Sequence, residues 1–309
     1  MRTVFFGSPP FAIPAFRALL QKKELPVALV TAPPRRSGRG RKEEDSPLVV
    51  MAQEAGVQVL RPESTRNSEW LDVFKGLKPD LGVVVSYGQI LDWATLVAPR
   101  FGLINVHGSL LPRWRGASPV QAAILAGDNV SGVCIQQMVE ALDAGPLLAC
   151  AELTLTSDER ADELFQKLSH LGASLLSDFL EEVQDGPLPS GEAQDVRAVT
   201  TCKKIKSADG IIDWNQSASH VDRLVRAMAG WPSARIALSD GSLLKIHAGE
   251  PSSLTTDSAP GTVISLDGGI FIQCDSGSFR IDHLQRAGKG ALGAMDYVRG
   301  SSIQEGEAL

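Results

Sequence analysis

The chain has 309 residues, of which 43% are hydrophobic and 21% are charged, and its formal net charge is -6 at pH 7. This length supports two domains with their own cores, and the acidic balance argues against a protein that coats nucleic acid indiscriminately, so any RNA contact must rest on local basic patches. No stretch has the length of an apolar membrane span, and the first residues predict a strand and a turn rather than a signal or transit sequence, so we expect a cytoplasmic protein with no membrane partner.

Short apolar segments alternate with helical patterns along the first 100 residues. A strand over 3–6 ends in the turn Gly7-Ser-Pro-Pro-Phe-Ala12, and a helix over 13–21 follows, which is how a βαβ unit begins. The turn lacks the G-x-G-x-x-G pattern, which argues against NAD or FAD. Further strands are predicted over 27–31, 57–60 and 81–86, with helices over 47–55 and 68–76. The alternation predicts an α/β fold with a mostly parallel, Rossmann-like sheet and flanking helices.

A basic loop follows the second predicted strand. Five of the eight residues over 35–42 are basic, and two glycines lie among them. Such a loop can wrap a phosphate backbone, but it can equally be a solvated surface loop, and the residues alone leave both interpretations open. The basic residues are Arg35, Arg36, Arg39, Arg41 and Lys42.

The segment over 102–119 carries the clearest chemical signal. Its strand brings Asn105 and His107 to one face, because strand side chains alternate, and the pair lies at the carboxyl end of the strand, where α/β sheets bind ligands. An imidazole exchanges a proton near neutral pH, and a carboxamide can donate to a developing oxyanion. The pair therefore suits acyl transfer, although a single histidine near a strand end is more often structural, so the assignment depends on context.

After this segment the sequence predicts a helix over 119–125, a strand over 132–138 and a turn over 140–146. Asp143 in this turn is the candidate partner of His107, because a nearby carboxylate stabilises an imidazolium. A strand over 147–155 and a long helix from Ser157 or Asp158 to about 183 complete a catalytic domain over 1–190. Broken periodicity predicts a linker over 191–205.

The remaining residues, 206–309, predict a second domain built on a helix over 218–228. Short strands with glycine turns follow over 235–238, 243–247, 261–266, 270–273 and 278–281. This spacing predicts a small β-barrel of the oligonucleotide-binding (OB-like) type. The candidates for phosphate contacts are Lys203, Lys204, Lys206, Arg286 and Lys289, each of which taken alone is more often a solvated surface charge.

The four cysteines, Cys134, Cys150, Cys202 and Cys274, are scattered without a C-x-x-C pair. This spacing is poor for zinc and ordinary for reduced thiols in a cytosol. The sequence therefore predicts neither a metal site nor a disulfide.

Several motifs resemble the folate-dependent formyltransferase family. The signature is Asn105-x-His107 followed by Ser109-Leu-Leu-Pro112, with Leu142-Asp143-x-Gly145 downstream. The first loop, the basic loop, the segment over 80–91 and the motifs Trp231-Pro-x-Ala234 and Pro260-Gly-Thr-Val263 are similar to the methionyl-tRNA branch of that family. The chain departs from the family pattern at Pro10, Ala141, Ala144, Pro146 and the acidic run over 43–45.

The resemblance implies a function. It implies transfer of a formyl group from the co-substrate 10-formyltetrahydrofolate to the α-amine of methionyl initiator tRNA. We also expect no metal and no obligate protein partner. The resemblance assigns catalysis to Asn105, His107 and Asp143. It assigns folate binding to Ser109, Leu110, Leu111, Pro112, Tyr87, Ile90 and Leu91. It assigns tRNA binding to Arg35, Arg36, Arg39, Arg41 and Lys42, and we expect Lys203, Lys204 and Lys206 among the phosphate-contact candidates to contribute.

Three alternatives remain at this stage. A sugar-nucleotide N-formyltransferase would use the same trio and folate but has no need of the basic loop. A formyltetrahydrofolate hydrolase would have no reason for the second domain. A non-catalytic RNA-binding protein is disfavoured because Asn105, His107 and Asp143 are intact.

Overall fold

The computed structural model describes residues 1–22, 25–33, 45–184, 186–238 and 241–309. The basic loop residues Arg35, Arg36, Arg39, Arg41 and Lys42 therefore lie outside the described residues. Among the residues that the structure does describe, no helix is both long and apolar enough to cross a membrane.

The chain forms two compact units. The first comprises Met1–Pro119, Val130–Thr154 and Phe165–Cys202. The second comprises Val120–Asn129, Leu155–Leu164 and Lys203–Leu309.

Strands and helices alternate through the first part of the chain, as the sequence predicts. They are β1 (Thr3–Gly7), α1 (Ala12–Leu20), β2 (Ala28–Val30), α2 (Pro47–Glu54), β3 (Gln58–Leu60), α3 (Ser68–Gly76), β4 (Leu81–Val85), α4 (Trp93–Leu96) and β5 (Leu103–His107). Then come β6 (Arg115–Gly116), α5 (Pro119–Ala126), β7 (Val130–Gln137), β8 (Leu147–Thr154), α6 (Ala161–Val183), a 3₁₀ turn (Val196–Ala198) and β9 (Thr201–Cys202). The long helix α6 begins later than predicted, and Asp162 and Glu163 in its first turn favour that start because acidic side chains stabilise the positive end of the helix dipole.

The central sheet has the strand order β3-β2-β1-β4-β5-β7-β8. Strands β1 to β5 run parallel, whereas β7 pairs antiparallel with β5 and β8 antiparallel with β7. The prediction of a mostly parallel sheet is thus confirmed. The chain winds one way from β1 to β3 and the other way from β4, so the carboxyl ends of β1 and β4 flank a switch point, where such sheets bind ligands.

The central strands of this sheet are continuously apolar because both of their faces are covered by the core. Every residue of β1 and of β4 is buried, as expected for strands covered on both faces. Phe6 lies at the centre of one face and makes edge-to-face contacts with Trp70, Phe74 and Tyr87 at centroid distances of 5.4 to 6.0 Å. Helix α3 delivers two of these rings, and its start is fixed by Asn67, whose side chain accepts a hydrogen bond from Trp70 N.

The second unit carries an antiparallel sheet. After a 3₁₀ turn (Ser207–Gly210), its elements are α7 (Ala218–Ala227), β10 (Ala234–Ala237), β11 (Leu243–Ser252), β12 (Val263–Ser265), β13 (Ile270–Gln273), β14 (Ser278–Arg286), β15 (Leu292–Gly293) and α8 (Ala294–Arg299). The strand order is β10-β11-β14-β13-β12, with β15 paired to β14. Register shifts between Ile246 and Gly249 interrupt the β11 ladder, and such bulges curl a sheet towards a half-barrel. The predicted small β domain is confirmed, with β11 and β14 longer than the sequence indicates.

The prediction of no disulfide is wrong. Cys134 on β7 and Cys150 on β8 are direct cross-strand partners with Cα atoms 4.1 Å apart, and they are joined by a disulfide. The sequence shows only that they are 16 residues apart, whereas their contact depends on the register of the β7–β8 pair. Cys202 and Cys274 are free thiols.

Candidate active site

The site is built on β5 and its antiparallel neighbour β7. Asn105 pairs with Gln136 and His107 pairs with Cys134 across the two strands. Cross-strand partners share a face of the sheet, so Asn105, His107 and Gln136 lie on one polar face. The predicted pairing of Asn105 with His107 on a single face follows directly from this register.

His107 is held by a backbone carbonyl from the loop that follows β5. Its Nε2 lies 3.0 Å from the carbonyl oxygen of Trp114, and only 6% of the residue is exposed. A carbonyl can only accept, so Nε2 carries a proton in this contact. In the neutral ring the acceptor is then Nδ1, which lies 3.7 Å from Oδ1 of Asp143.

Asp143 occupies the point where three polar groups converge. Its Oδ1 accepts from Asn105 Nδ2 at 3.4 Å and from Gln136 Nε2 at 3.0 Å, and its Oδ2 accepts from Gly116 N at 2.8 Å. N–H donors on both oxygens fix the plane of the carboxylate. The structure therefore brings together the three residues that the sequence singles out for catalysis.

Two glycines allow the backbone to approach this carboxylate closely. A Cβ on Gly116, whose φ is +122°, would lie 2.1 Å from the carbonyl oxygen of Cys202. A Cβ on Gly145 would lie 1.6 Å from the carbonyl oxygen of Gln137. Both distances are impossible for a side chain, so only glycine permits the loop 114–118 and the turn 140–146 to close around Asp143.

Sequence reasoning missed Gln136 and Gln194, which contact Asp143, and Arg115, which contacts Gln194. Gln194 Nε2 donates to the carbonyl oxygens of Asp143 at 2.9 Å and Gly145 at 2.7 Å. Arg115 donates to Gln194 Oε1 from Nε at 3.0 Å and from Nη2 at 2.7 Å. The β5–β7 register would have revealed Gln136, whereas nothing in the sequence places Gln194 here, because it lies 51 residues after Asp143.

The residues predicted to bind folate are placed unevenly. Ile90 is 70% exposed, and Leu110 and Pro112 are half-buried, so these three present surface to a ligand. The other four are buried: Ser109, Leu111, Tyr87 and Leu91. Of these, Tyr87 and Leu91 belong to the core around Phe6, and Ser109 Oγ donates to the carbonyl of Arg113 at 2.6 Å.

The predicted tRNA contacts are only partly within the described chain. Lys203, Lys204 and Lys206 are exposed and lie at the start of the last segment of the second unit. Within the same described ranges, no group of three or more histidine, cysteine or acidic side chains could hold a metal ion.

Comparison with known proteins assigns the family. Residues 1–180 match the formyl transferase family, and residues 204–302 match the formyl transferase C-terminal domain. A methionyl-tRNA formyltransferase of Methylococcus capsulatus is 39% identical over 303 residues, covering 98% of each chain. Another, from Xanthomonas campestris pv. campestris, is 42% identical over 299 residues, covering 96% of this chain and 97% of the relative. The chain belongs to the methionyl-tRNA formyltransferase family.

Solved structures add support for the fold. An N-formyltransferase from Helicobacter canadensis, crystallised with folinic acid and dTDP-3-aminofucose, matches with a TM-score of 0.67 and 13% identity, covering 93% of this chain and 99% of that chain. At this identity the likeness concerns the fold alone. Asn105, His107 and Asp143 all lie within the residues that match the formyl transferase family.

Proposed function

We infer that this chain transfers a formyl group from 10-formyltetrahydrofolate to the α-amine of methionine esterified to initiator tRNA. Family membership over the whole length supports this reaction. The mechanism rests on the two ring nitrogens of His107. Nε2 is hydrogen-bonded to the carbonyl oxygen of Trp114, and Nδ1 faces the carboxylate of Asp143.

The proton transfers follow from that arrangement. The hydrogen bond from Nε2 to Trp114 leaves Nδ1 as the proton acceptor. When the amine attacks the formyl carbon it must lose a proton, and Nδ1 of His107 takes it. The resulting imidazolium is stabilised by Asp143, whose Oδ1 lies 3.7 Å from Nδ1. His107 then returns the proton to the leaving nitrogen, so the residue acts first as base and then as acid.

Asn105 is placed to stabilise the oxyanion that forms on the formyl group. Its carboxamide has two N–H groups, and Nδ2 donates one of them to Oδ1 of Asp143 at 3.4 Å. The second can donate to the formyl oxygen as negative charge develops on it, and loss of one such donor costs about 10² to 10³ in rate. Because Asp143 holds the carboxamide in place, this donor needs little reorganisation during the reaction.

The residues present are compatible with folate as the formyl donor. The Tyr87 hydroxyl is a buried polar atom without a hydrogen-bond partner among the described residues, and it belongs to the residue that follows β4 and Ser86 at the switch point. A polar group of the pterin would satisfy it, while Ile90, Leu110 and Pro112 would supply apolar contacts. When bound, the folate supplies an activated formyl group and a nitrogen leaving group.

We further propose that tRNA contacts come from the basic loop over 35–42 and from Lys203, Lys204 and Lys206. The support is the local density of positive charge on a chain whose net charge is -6. Such contacts recognise phosphates and position the acceptor end rather than specify a base. A cytoplasmic location remains a prediction that accompanies this substrate.

The decisive experiment is formyl transfer from labelled 10-formyltetrahydrofolate. Methionyl initiator tRNA, a UDP-amino-sugar and a reaction without acceptor are compared, using the wild type, His107→Ala and His170→Ala. His170 is an exposed histidine on α6 and serves as the matched control. We expect formylated tRNA only, a loss of about 10² to 10⁴ in rate for His107→Ala, and no loss for His170→Ala. Sugar formylation, or deformylation without acceptor, would overturn the proposed substrate. An active His107→Ala would overturn the proposed base.

A further inference from the structure

The carboxylate of Asp143 is oriented by a buried glutamine. Gln136 is only 2% exposed, and its Nε2 donates to Oδ1 of Asp143, the same oxygen that faces His107. Its Oε1 accepts from Gly145 N at 3.2 Å. Since a backbone N–H can only donate, this contact fixes the orientation of the carboxamide and commits its N–H₂ end to Asp143.

A second glutamine reaches the same turn from a distant part of the sequence. Gln194 belongs to the segment between α6 and β9, and Glu192 in that segment exchanges two backbone hydrogen bonds of 2.8 Å with Leu147. Arg115 binds Gln194 Oε1 with two N–H donors, and because a guanidinium can only donate, the Nε2 of Gln194 must face the opposite way. There it donates to the carbonyls of Asp143 and Gly145, and it lies 3.4 Å from Oε1 of Gln136.

The backbone at Asp143 requires such support. Asp143 has a φ of +49°, in the left-handed region that non-glycine residues adopt at an energetic cost. The Gln194 bond to the carbonyl of Asp143 holds this conformation, and the Gln136 bond to its carboxylate sets the side-chain direction. One glutamine therefore fixes the main chain of Asp143, and the other fixes its carboxylate.

We propose that Gln136 and Gln194 are positioning residues for formyl transfer, acting through Asp143, and that the segment 191–202 is thereby part of the active-site structure. The proposal rests on the proposed role of Asp143. Neither glutamine touches the reacting atoms in this scheme. A displacement of Asp143 by a fraction of an ångström would weaken its support of the His107 imidazolium, and misplacement by 1 Å can cost about 10²-fold in rate.

The test is a set of double-mutant cycles in which kcat and KM are measured by steady-state formylation at varied concentrations of methionyl initiator tRNA. Gln136→Leu and Gln194→Ala are each made in the wild type and in an Asp143→Asn background. In the wild type we expect each to lower kcat about 10-fold with KM for tRNA unchanged. In the Asp143→Asn background we expect neither to lower kcat further, because both act through the carboxylate that is already lost.

The matched control is Gln137→Leu. Gln137 is the next residue on β7, and its side chain lies on the other face of the sheet, near Gly102. We expect it to leave kcat unchanged in both backgrounds. Gln194 is half-buried, so Gln194→Ala keeps the test available if Gln136→Leu does not fold.

The outcomes separate the two proposals. If Asp143→Asn forms product at the wild-type rate, the proposed function of Asp143 is wrong. If Asp143→Asn is impaired but the glutamine substitutions reduce kcat by the same factor in both backgrounds, the positioning role is wrong while the proposed function stands. Unchanged kcat in both glutamine variants also overturns the positioning role.

Discussion

At the scale of single residues, one hydrogen bond determines which nitrogen of His107 is left as the proton acceptor. The sequence identifies the histidine but not the ring atom, because the partner of Nε2 is the main-chain carbonyl of Trp114, which carries no sequence signal. Trp114 itself has a φ of +61°, a left-handed conformation in a residue that rarely adopts it. The tautomer of the proposed catalytic base is therefore set by the conformation of a loop.

A residue-scale prediction concerns Cys274 in the core of the second unit. This thiol is 1% exposed, and burial raises its pKa from 9.0 to about 11. The folded state keeps the proton where the unfolded chain has lost it, so the stabilisation is complete below pH 9 and is lost as the pH rises from 9 to about 11, at about 1.4 kcal/mol per pH unit.

We therefore expect the difference in unfolding free energy between wild type and Cys274→Ala to shrink across that pH window. Urea denaturation at intervals from pH 8 to pH 11 measures it. Ile272→Val, which truncates the same core without removing a thiol, is the control and should show a constant difference. A constant difference for Cys274→Ala as well would contradict the prediction.

At the scale of elements, the short parallel pair β6–β9 closes the loop over Asp143. Arg115 pairs with Thr201 and Gly116 with Cys202, while Trp114 N donates to Thr200 Oγ1 at 2.9 Å. This pairing presents the carbonyl of Trp114 to His107 and the N–H of Gly116 to Asp143. Two residues on each strand are thus enough to hold the backbone groups of the site.

Gly116→Ala should separate this pair. The added Cβ would meet the carbonyl oxygen of Cys202, so the strands must move apart. We expect a loss of about 2 to 4 kcal/mol in unfolding free energy. We also expect kcat per folded enzyme to fall by about 10-fold or more. Urea denaturation and formylation at 25 °C measure both.

Gly56→Ala is the matched control for this prediction. Gly56 also has a positive φ, of +70°, but a Cβ there meets nothing within 4 Å. It should cost only about 1 to 2 kcal/mol from backbone strain and leave kcat intact. Equal effects of the two substitutions would show that strain alone, and not separation of β6 from β9, accounts for the loss at Gly116.

At the scale of the whole molecule, a net charge of -6 means that tRNA affinity must come from a few local cations. Each phosphate contact releases counterions and steepens the dependence of affinity on salt, by about 0.7 to 0.9 in the log–log slope. Lys203, Lys204 and Lys206 are exposed in the described chain and carry part of the proposed contact.

Replacing all three lysines by alanine should weaken initiator tRNA binding and reduce the magnitude of that slope by about 2 to 3. Binding is titrated between 50 and 300 mM salt, conditions chosen as roughly the range over which such contacts are screened. The control removes three exposed charges elsewhere, with Arg66→Ala, Lys75→Ala and Lys78→Asn, where asparagine tolerates the positive φ of Lys78. If both triple variants give the same slope, only net charge matters and the proposed contact is wrong.

Much of the fold could be predicted because it depends on local patterns. The sequence predicts helix 68–76 and strand 270–273 with the bounds that the structure has. Helix capping and apolar periodicity depend on residues that are close together in the sequence. The Cys134–Cys150 disulfide was not predicted, because it depends on how two strands are aligned rather than on either strand alone.

The sequence by itself determined the alternation of strands and helices, the family signature and the placement of Asn105 and His107 on one face, because the two-residue period of a strand fixes that geometry locally. Only the tertiary structure decided which ring nitrogen of His107 faces Asp143 and which groups hold that carboxylate. The register of β5 and β7 places Gln136 beside Asn105. Gln194 contacts Asp143 although it lies 51 residues further along the chain. Contacts of this kind are made between backbones and side chains distant in sequence, so no local pattern encodes them.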